Sequence, residues 1–380
     1  MKGIVAALTA ALLLLSGAPT ALAEGRAPVE VAAKAYLLMD RETGTVLCAR
    51  KEHQKLEPAS VTKVMTMLLT VEALDSGQIH LEDIVTASAH AESMGGSQVF
   101  LKEGEQMSVE DLLKSVAVAS GNDAAVALGE YLAGSESAFV DKMNRRAGEL
   151  GMKDTHFVNC NGLPAEGHVT SAYDIALMSR ELLGHDTIRP FVGIWTDSIR
   201  GGEFHLANTN KLIRFYEGAT GLKTGSTDSA GYCISASAQR DGMELIAVVL
   251  GSKSSAERFE GAKSLLNYGF GAYTIVDAAP KKPLPSVPVK LGEADSVALE
   301  QRESCRVLVK REEAEQVTAQ VETVEETDAP VEAGQELGRL TLSVNGKAVR
   351  SLPLTAARDV ERLNFWSVLR RLWAAALVEC

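Results

Sequence analysis

The sequence is short of several things, and each shortage excludes a class of function. It has no surplus of basic charge: 38 Lys and Arg stand against 50 Asp and Glu, a net charge of −12. No basic stripe with interleaved aromatics occurs, so no nucleic-acid partner is expected. Cysteine is sparse, five in 380 residues, at Cys48, Cys160, Cys233, Cys305 and Cys380. Their scatter leaves no C-x-x-C pair, and no H-E-x-x-H run exists, so no metal site and no cofactor are expected. The odd count leaves at least one thiol free in a monomer. Cys48 and Cys233 lie in apolar, strand-like runs and read as buried thiols, although an exported protein could hold a disulfide.

The apolar run Ile4 to Leu15 is too short to span a bilayer comfortably. With Lys2 before it, Gly17 and Pro19 after it, and Ala21-Leu22-Ala23 ahead of Glu24, it predicts a cleaved export signal over 1–23. A retained N-terminal anchor is the alternative. Cleavage removes only one charged residue, which takes the net charge from −12 to −13.

The run Glu57-Pro58-Ala59-Ser60-Val61-Thr62-Lys63 organises the rest. Val61, Val64, Met65, Leu68 and Leu69 recur at helical spacing, which predicts a helix to about Ser76 with Gly77 ending it. Ser60 and Lys63 then share one face. A serine hydroxyl is a poor nucleophile until a base takes its proton, and a lysine kept neutral by burial can be that base. The plain alternative is a capping serine followed by a surface lysine.

Two strands, Lys34 to Met39 and Thr45 to Arg50, are predicted before this helix, around a turn at 40–44. Short extended pieces are expected at Ile84 to Ser88 and Gln98 to Leu101. A helical section opens at the capping box Ser108-Val109-Glu110-Asp111. Inside it, Ser120-Gly121-Asn122 reads as a tight turn in which Gly121 lets both polar side chains point the same way. An ordinary helix–helix turn reads the same, and Ser343-Val344-Asn345 repeats the pattern. A helix over Ser171 to Leu183 follows. Lys223-Thr224-Gly225 precedes two strands, Gly231 to Ala238 and Glu244 to Leu250. It therefore sits on or beside a strand of an antiparallel sheet, and a strand edge can pair with an extended peptide, with Gly225 admitting the substrate close to the backbone. A helix over Ser255 to Tyr268 closes the section.

Pro280, Pro283, Pro285 and Pro288 read as a stiff linker. Short alternating runs over 289–355 predict a small all-β module. From about Ala356 a helix is predicted. Phe365, Trp366, Val368, Leu369, Leu372, Trp373, Ala376 and Leu377 lie on one broad face, with Asn364, Ser367, Arg370 and Arg371 on the other. Such a helix suits a membrane interface, or it docks on the β-module.

Ser60-Val61-Thr62-Lys63, Ser120-Gly121-Asn122 and Lys223-Thr224-Gly225, in this order, resemble the S-x-x-K, S-x-N and K-T-G set of penicillin-binding proteins and serine β-lactamases. Thr155-His156-Phe157-Val158-Asn159, Gly162-Leu163 and Gly221-Leu222 narrow the resemblance to the low-molecular-mass, serine-type D-Ala-D-Ala carboxypeptidases. Cys160 departs from the proline often found after that Asn, and only a local loop effect is expected.

The resemblance implies an α/β fold of the α+β kind. It comprises a β-lactamase/transpeptidase-like catalytic domain over 24–278, with an antiparallel sheet flanked by helices. A linker over 279–288, a β-rich domain over 289–355 and an amphipathic anchor over 356–380 complete it. It implies that Ser60 attacks the carbonyl between two terminal D-alanines, Lys63 acts as base and Ser120 relays a proton to the leaving amine. Asn122, Lys223, Thr224, Gly225, Ser226 and Arg258 would bind substrate. Thr224 and Arg258 would hold the terminal carboxylate, and the N–H groups of Ser60 and Ser226 would form the oxyanion hole. Without the resemblance, Arg258 reads as a surface helix arginine. Implied partners are peptidoglycan stem peptides, β-lactams as covalent inhibitors, and a membrane surface on the outer face of the cytoplasmic membrane. The E-x-x-L-N pattern of class A β-lactamases is absent. Cross-link endopeptidase action and a catalytically silent wall-binding role remain as rivals.

Overall fold

The computed structural model describes residues 29–369. The expected leader at 1–23 and the tail beyond Leu369, with Cys380, lie outside the described residues. Strands β1 (Ala35–Asp40), β2 (Val46–Arg50), β3 (Ala219–Thr227), β4 (Gly231–Arg240) and β5 (Met243–Ser252) form one antiparallel sheet in the order β2-β1-β5-β4-β3. All of β1 is buried, because successive residues serve opposite faces. Leu37 and Met39 join Ile246 and Val248 on one side. Tyr36 and Leu38 join Leu245 and Ala247 on the other. A sheet apolar on both faces needs a layer on each. The helices that supply them are α1 (Lys63–Asp75), α2 (Asn122–Ala133), α3 (Glu136–Glu149), α4 (Ala172–Leu182) and α5 (Ser255–Ala272). Helices α1 to α4 cover the first face, and α5 covers the second with Phe259, Ala262, Leu265 and Leu266. Helix α5 runs four residues beyond the predicted end.

The turn that carries Ser60 differs from the prediction. Ala59–Thr62 form a 3₁₀ turn, and the α-helix begins at Lys63. Residues three apart eclipse one another in a 3₁₀ turn, so Ser60 and Lys63 still share one side. Helix α1 buries Val64, Met65, Met67, Leu68 and Val71, so it is sunk in the core rather than laid on it with one face. Its end matches, with Ser76 closing it and Gly77 at φ +72°.

Ser108 caps its helix as predicted, accepting from the Asp111 N–H at 3.1 Å. The turn that follows departs from the expectation. The left-handed residue is Ser120 (φ 64°, ψ 29°), while Gly121 has φ −54°. Gly121 sits in a tight place instead: a Cβ there would lie 3.3 Å from Ala124 Cβ and 3.0 Å from Asp123 Oδ1. The extended piece expected at Gln98 to Leu101 forms no strand. Its Val99 and Leu101 N–H groups donate to the buried Asp123 carboxylate at 3.0 Å each, which takes the donors a ladder would use. Ile84–Thr86 does pair, with Gln106–Ser108, and Ser88 caps a short helix.

The C-terminal region is all-β, with an apolar core that includes Val287, Val297, Leu340, Leu342, Leu352 and Leu354. Two predicted boundaries move. Pro288, expected in the linker, lies in strand Ser286–Lys290 opposite Ser296. Tyr273–Asp277, expected in the catalytic domain, pairs with Arg306–Lys310 of the β-module. The helix expected from Ala356 does not start there. Strand Lys347–Ala356 takes that residue, because Leu352, Leu354 and Ala356 alternate into the β core. Val360 then bridges to Val331. Helical backbone starts at Phe365, where the Asn364 side chain accepts from the Trp366 and Ser367 N–H groups at 2.9 and 3.0 Å. No described helix is long and apolar enough to cross a membrane.

Candidate active site

The 3₁₀ turn packs onto the edge strand β3, and α1 carries Lys63 beneath it. Lys63 is fully buried, and its Nζ donates to Asn122 Oδ1 at 2.5 Å and the Asn161 carbonyl at 2.6 Å and lies 3.0 Å from Ser60 Oγ, whose hydroxyl can donate to the neutral amine. Burial lowers its pKa from 10.5 to about 7, and the Asp123 carboxylate pulls the other way. A large fraction of Lys63 is therefore an uncharged amine at neutral pH, already in contact with the hydroxyl it would deprotonate. No histidine hydrogen-bonds Ser60 among the described residues, so no Ser-His-Asp relay forms.

Lys223 is also fully buried on β3 and donates to the Thr224 carbonyl at 2.9 Å. Burial, then the charges of Lys63 and Arg258, push its pKa well below the usual lysine value. Thr224 Oγ1 donates to Thr209 Oγ1 at 2.7 Å. Ser120 is buried at the mouth of α2, and its hydroxyl has no protein partner among the described residues. The Asn122 amide is used at both ends, with Oδ1 on Lys63 and Nδ2 on the Gly95 carbonyl at 2.6 Å. Ser226 follows on β3 and is exposed.

Gly225 corrects a sequence reading. A Cβ there would come within 2.8 Å of the Pro58 carbonyl oxygen and of Ser60 N, and 2.9 Å of Val61 N. The close approach is made by the Ser60 turn itself, so Gly225 lets the protein's own backbone dock on β3. Arg258 is not a surface residue. It is 6% exposed on α5, donating to the carbonyls of Gly225 and Cys233 at 3.2 and 3.3 Å. Its pKa falls to about 10 through burial.

Three residues of the site carried no sequence signal. The Asn161 contact is a backbone carbonyl, which any residue type supplies. Thr209 and His168 meet motif residues only through tertiary contact, at Thr224 and Thr62 respectively. The Cys160 departure does more than alter a loop. Its N–H donates to Glu136 Oε1 at 3.1 Å, a bond that proline in that place could not make. Cys48, Cys160, Cys233 and Cys305 are all buried, free thiols. Glu72, Glu181 and His185 gather metal-type ligand atoms, but Arg146 already bridges the two carboxylates at 2.7 and 2.6 Å.

A serine hydroxyl held by a buried, largely neutral amine is the arrangement of a lysine-activated acyl-transfer enzyme. Residues 21–254 match the family described as D-alanyl-D-alanine carboxypeptidase, and residues 278–362 match penicillin-binding protein 5, C-terminal domain. The chain belongs to the D-alanyl-D-alanine carboxypeptidase family. It is 42% identical over 380 residues to the D-alanyl-D-alanine carboxypeptidase DacF of Bacillus subtilis (strain 168), covering 98% of each chain. Penicillin-binding protein 5 from Haemophilus influenzae superposes with a TM-score of 0.75 at 31% identity, over 89% of this chain and 100% of that one. Penicillin-binding protein D2 from Listeria monocytogenes, solved in an ampicillin-bound form, superposes with a TM-score of 0.59 at 31% identity, over 63% of this chain and 98% of that one.

Proposed function

We propose that this protein is a serine-type D-alanyl-D-alanine carboxypeptidase that removes the terminal D-Ala from peptidoglycan stem peptides and is acylated by β-lactams. The observation that carries the reading is the Lys63 amine, buried and 3.0 Å from Ser60 Oγ. In this reading Lys63 Nζ takes the Ser60 proton as Oγ bonds to the penultimate D-Ala carbonyl. The N–H groups of Ser60 and Ser226 hold the resulting oxyanion. The proton passes through Ser120 to the leaving amine, the C–N bond breaks and D-Ala departs. Water then cleaves the acyl-enzyme ester and restores the Ser60 hydroxyl.

Lys223 steers the anionic substrate and Asn122 holds its amide, once one of the two amide contacts of Asn122 is released. Gly225 keeps the nucleophile turn seated on β3, and Thr224 with Arg258 receives the terminal carboxylate. No metal or cofactor takes part. We place the protein outside the cytoplasm, with residues 1–23 as the export signal and the segment from Phe365 onward as a peripheral membrane anchor. The exposure of Phe365 and Trp366, 73% and 69%, supports the anchor. We divide the chain into a catalytic body to about Ala272 and a β-module from Tyr273 to about Arg362.

The test is D-alanine release from a peptide ending in Lys-D-Ala-D-Ala, run beside Ser60→Ala. Release and penicillin labelling should both vanish in the variant, and labelling that persists would remove Ser60 as the nucleophile. Deleting 365–380 should free the protein from anionic lipid vesicles with D-Ala release retained. Undiminished vesicle binding would rule out the tail as anchor.

A further inference from the structure

His168 is a buried titratable group that the mechanism above does not use. It is 2% exposed and lies on the loop between the Asn159–Leu163 segment and α4. Its hydrogen bonds define its tautomer. The Val158 N–H donates to Nδ1 at 3.0 Å, so Nδ1 is unprotonated and Nε2 carries the hydrogen. Nε2 lies 2.8 Å from Thr62 Oγ1. Thr62, fully buried, gives its own hydroxyl proton to the Ala59 carbonyl at 2.9 Å. The chain therefore runs in one direction, from Val158 N–H through His168 and Thr62 to the oxygen of Ala59.

That oxygen belongs to the same peptide unit as the Ser60 N–H. A peptide unit is planar and trans, so its C=O and N–H point in opposite directions. Fixing one end aims the other. The unit needs outside support, because Ala59 sits at φ 49°, in the left-handed region that alanine avoids. Gly162 (φ +87°) packs flat against it, where a Cβ would fall 1.9 Å from the Ala59 oxygen and 2.9 Å from Ser60 N. Gly225 closes on Ser60 N from the β3 side. The two glycines hold the plane by contact, and the Thr62 hydroxyl supplies a directed bond to its carbonyl end.

We propose that His168 and Thr62 are positioning residues that aim the Ser60 N–H at the oxyanion formed during acylation. The inference rests on the oxyanion role given to that N–H above. The imidazole stays neutral and never touches substrate. Its work is to present Nε2–H to Thr62, so that the single Thr62 proton is committed to Ala59. Preorganised donors of this kind act in the transition state and not in the encounter complex.

The test uses the full-length protein and a fluorescent penicillin, with concentration-dependent stopped-flow acylation separating the dissociation constant of the encounter complex from the acylation rate constant. Thr62→Val keeps the shape and removes the hydroxyl, and Thr62→Ser restores it. His168→Leu removes the donor, and His168→Gln can supply one. Loss of a whole oxyanion donor costs about 10²–10³ in rate, so mis-aiming one should cost roughly tenfold or more. Thr62→Val and His168→Leu should slow acylation by that factor with the dissociation constant unchanged, and Thr62→Ser should recover most of the loss. Unchanged acylation in Thr62→Val overturns the proposal. So does a loss shared equally between binding and acylation that Thr62→Ser fails to rescue. If Thr62→Val does not fold, the His168→Leu and His168→Gln pair decides between the same outcomes. A wild-type protein that takes no penicillin would instead sink the underlying enzyme reading.

Discussion

Around Ser60, the residues Lys63, Lys223 and Arg258 are 0%, 0% and 6% exposed. In the C-terminal module, Arg339 and Arg350 stand in solvent beside Glu336 and Glu303, at 2.8 and 3.3 Å. The residue classes are the same, and the surroundings reverse what they do. Water screens the module's pairs, so each contributes little to stability and nothing to chemistry. Burial lowers the pKa of all three, and in Lys63, at about 7, it leaves a substantial share of neutral amine at neutral pH, while Arg258, at about 10, stays charged. A charge run in a sequence therefore carries no functional meaning until its burial is known.

The largest test of that contrast is Lys63→Met. It keeps the length of the side chain and removes the amine, and acylation by penicillin should fall by about 10²–10⁴. In the unmutated protein, acylation should rise as pH climbs through about 7, because Lys63 loses its proton there. A rate that is flat between pH 6 and 8 would mean that Lys63 is not the base.

His168 gives a smaller effect, in stability. Burial, with the His156 charge adding to it, lowers the His168 pKa from 6.5 to about 4. The unfolded chain therefore binds more protons between those values, and the fold loses stability as pH falls from about 6.5 to about 4. The loss is roughly 3 kcal/mol from this group. Denaturant titrations at pH 4.5 and 7 should show His168→Gln losing less stability on acidification than the unmutated protein. An equal loss in both would assign the acid sensitivity to other groups. The smallest effect belongs to the module. Arg339→Ala should move the melting midpoint by less than about 2 °C, and a larger shift would mean that its surface pairs act as a network.

Much of the architecture was legible because it rests on local rules. The β1–β2 hairpin, the Ser108 cap, α4 and the β4–β5 pair follow from alternation, capping and turn chemistry at short range. The predicted helix start at Ala356 failed because Leu352, Leu354 and Ala356 fit a β core already supplied by strands far away in the chain. The reading of Gly121 failed because a flexible residue next to a turn need not be the one that bends. Its neighbour Ser120 took the left-handed conformation, and Gly121 packs closely against Ala124 and Asp123.

The sequence by itself determined the chemical vocabulary. Ser60 and Lys63 are three residues apart, and backbone geometry alone puts them on one side of a turn. The order of the three motifs and the two-part layout were likewise present in the linear text. Only the tertiary structure decided that Lys63 is buried enough to lose its proton near neutral pH, since desolvation depends on everything packed around a group. It alone placed the Asn161 carbonyl on that amine and brought His168 to Thr62, contacts between residues about a hundred positions apart. Such contacts leave no periodicity to read, because they are selected by the shape of the folded core and not by the neighbours of either residue.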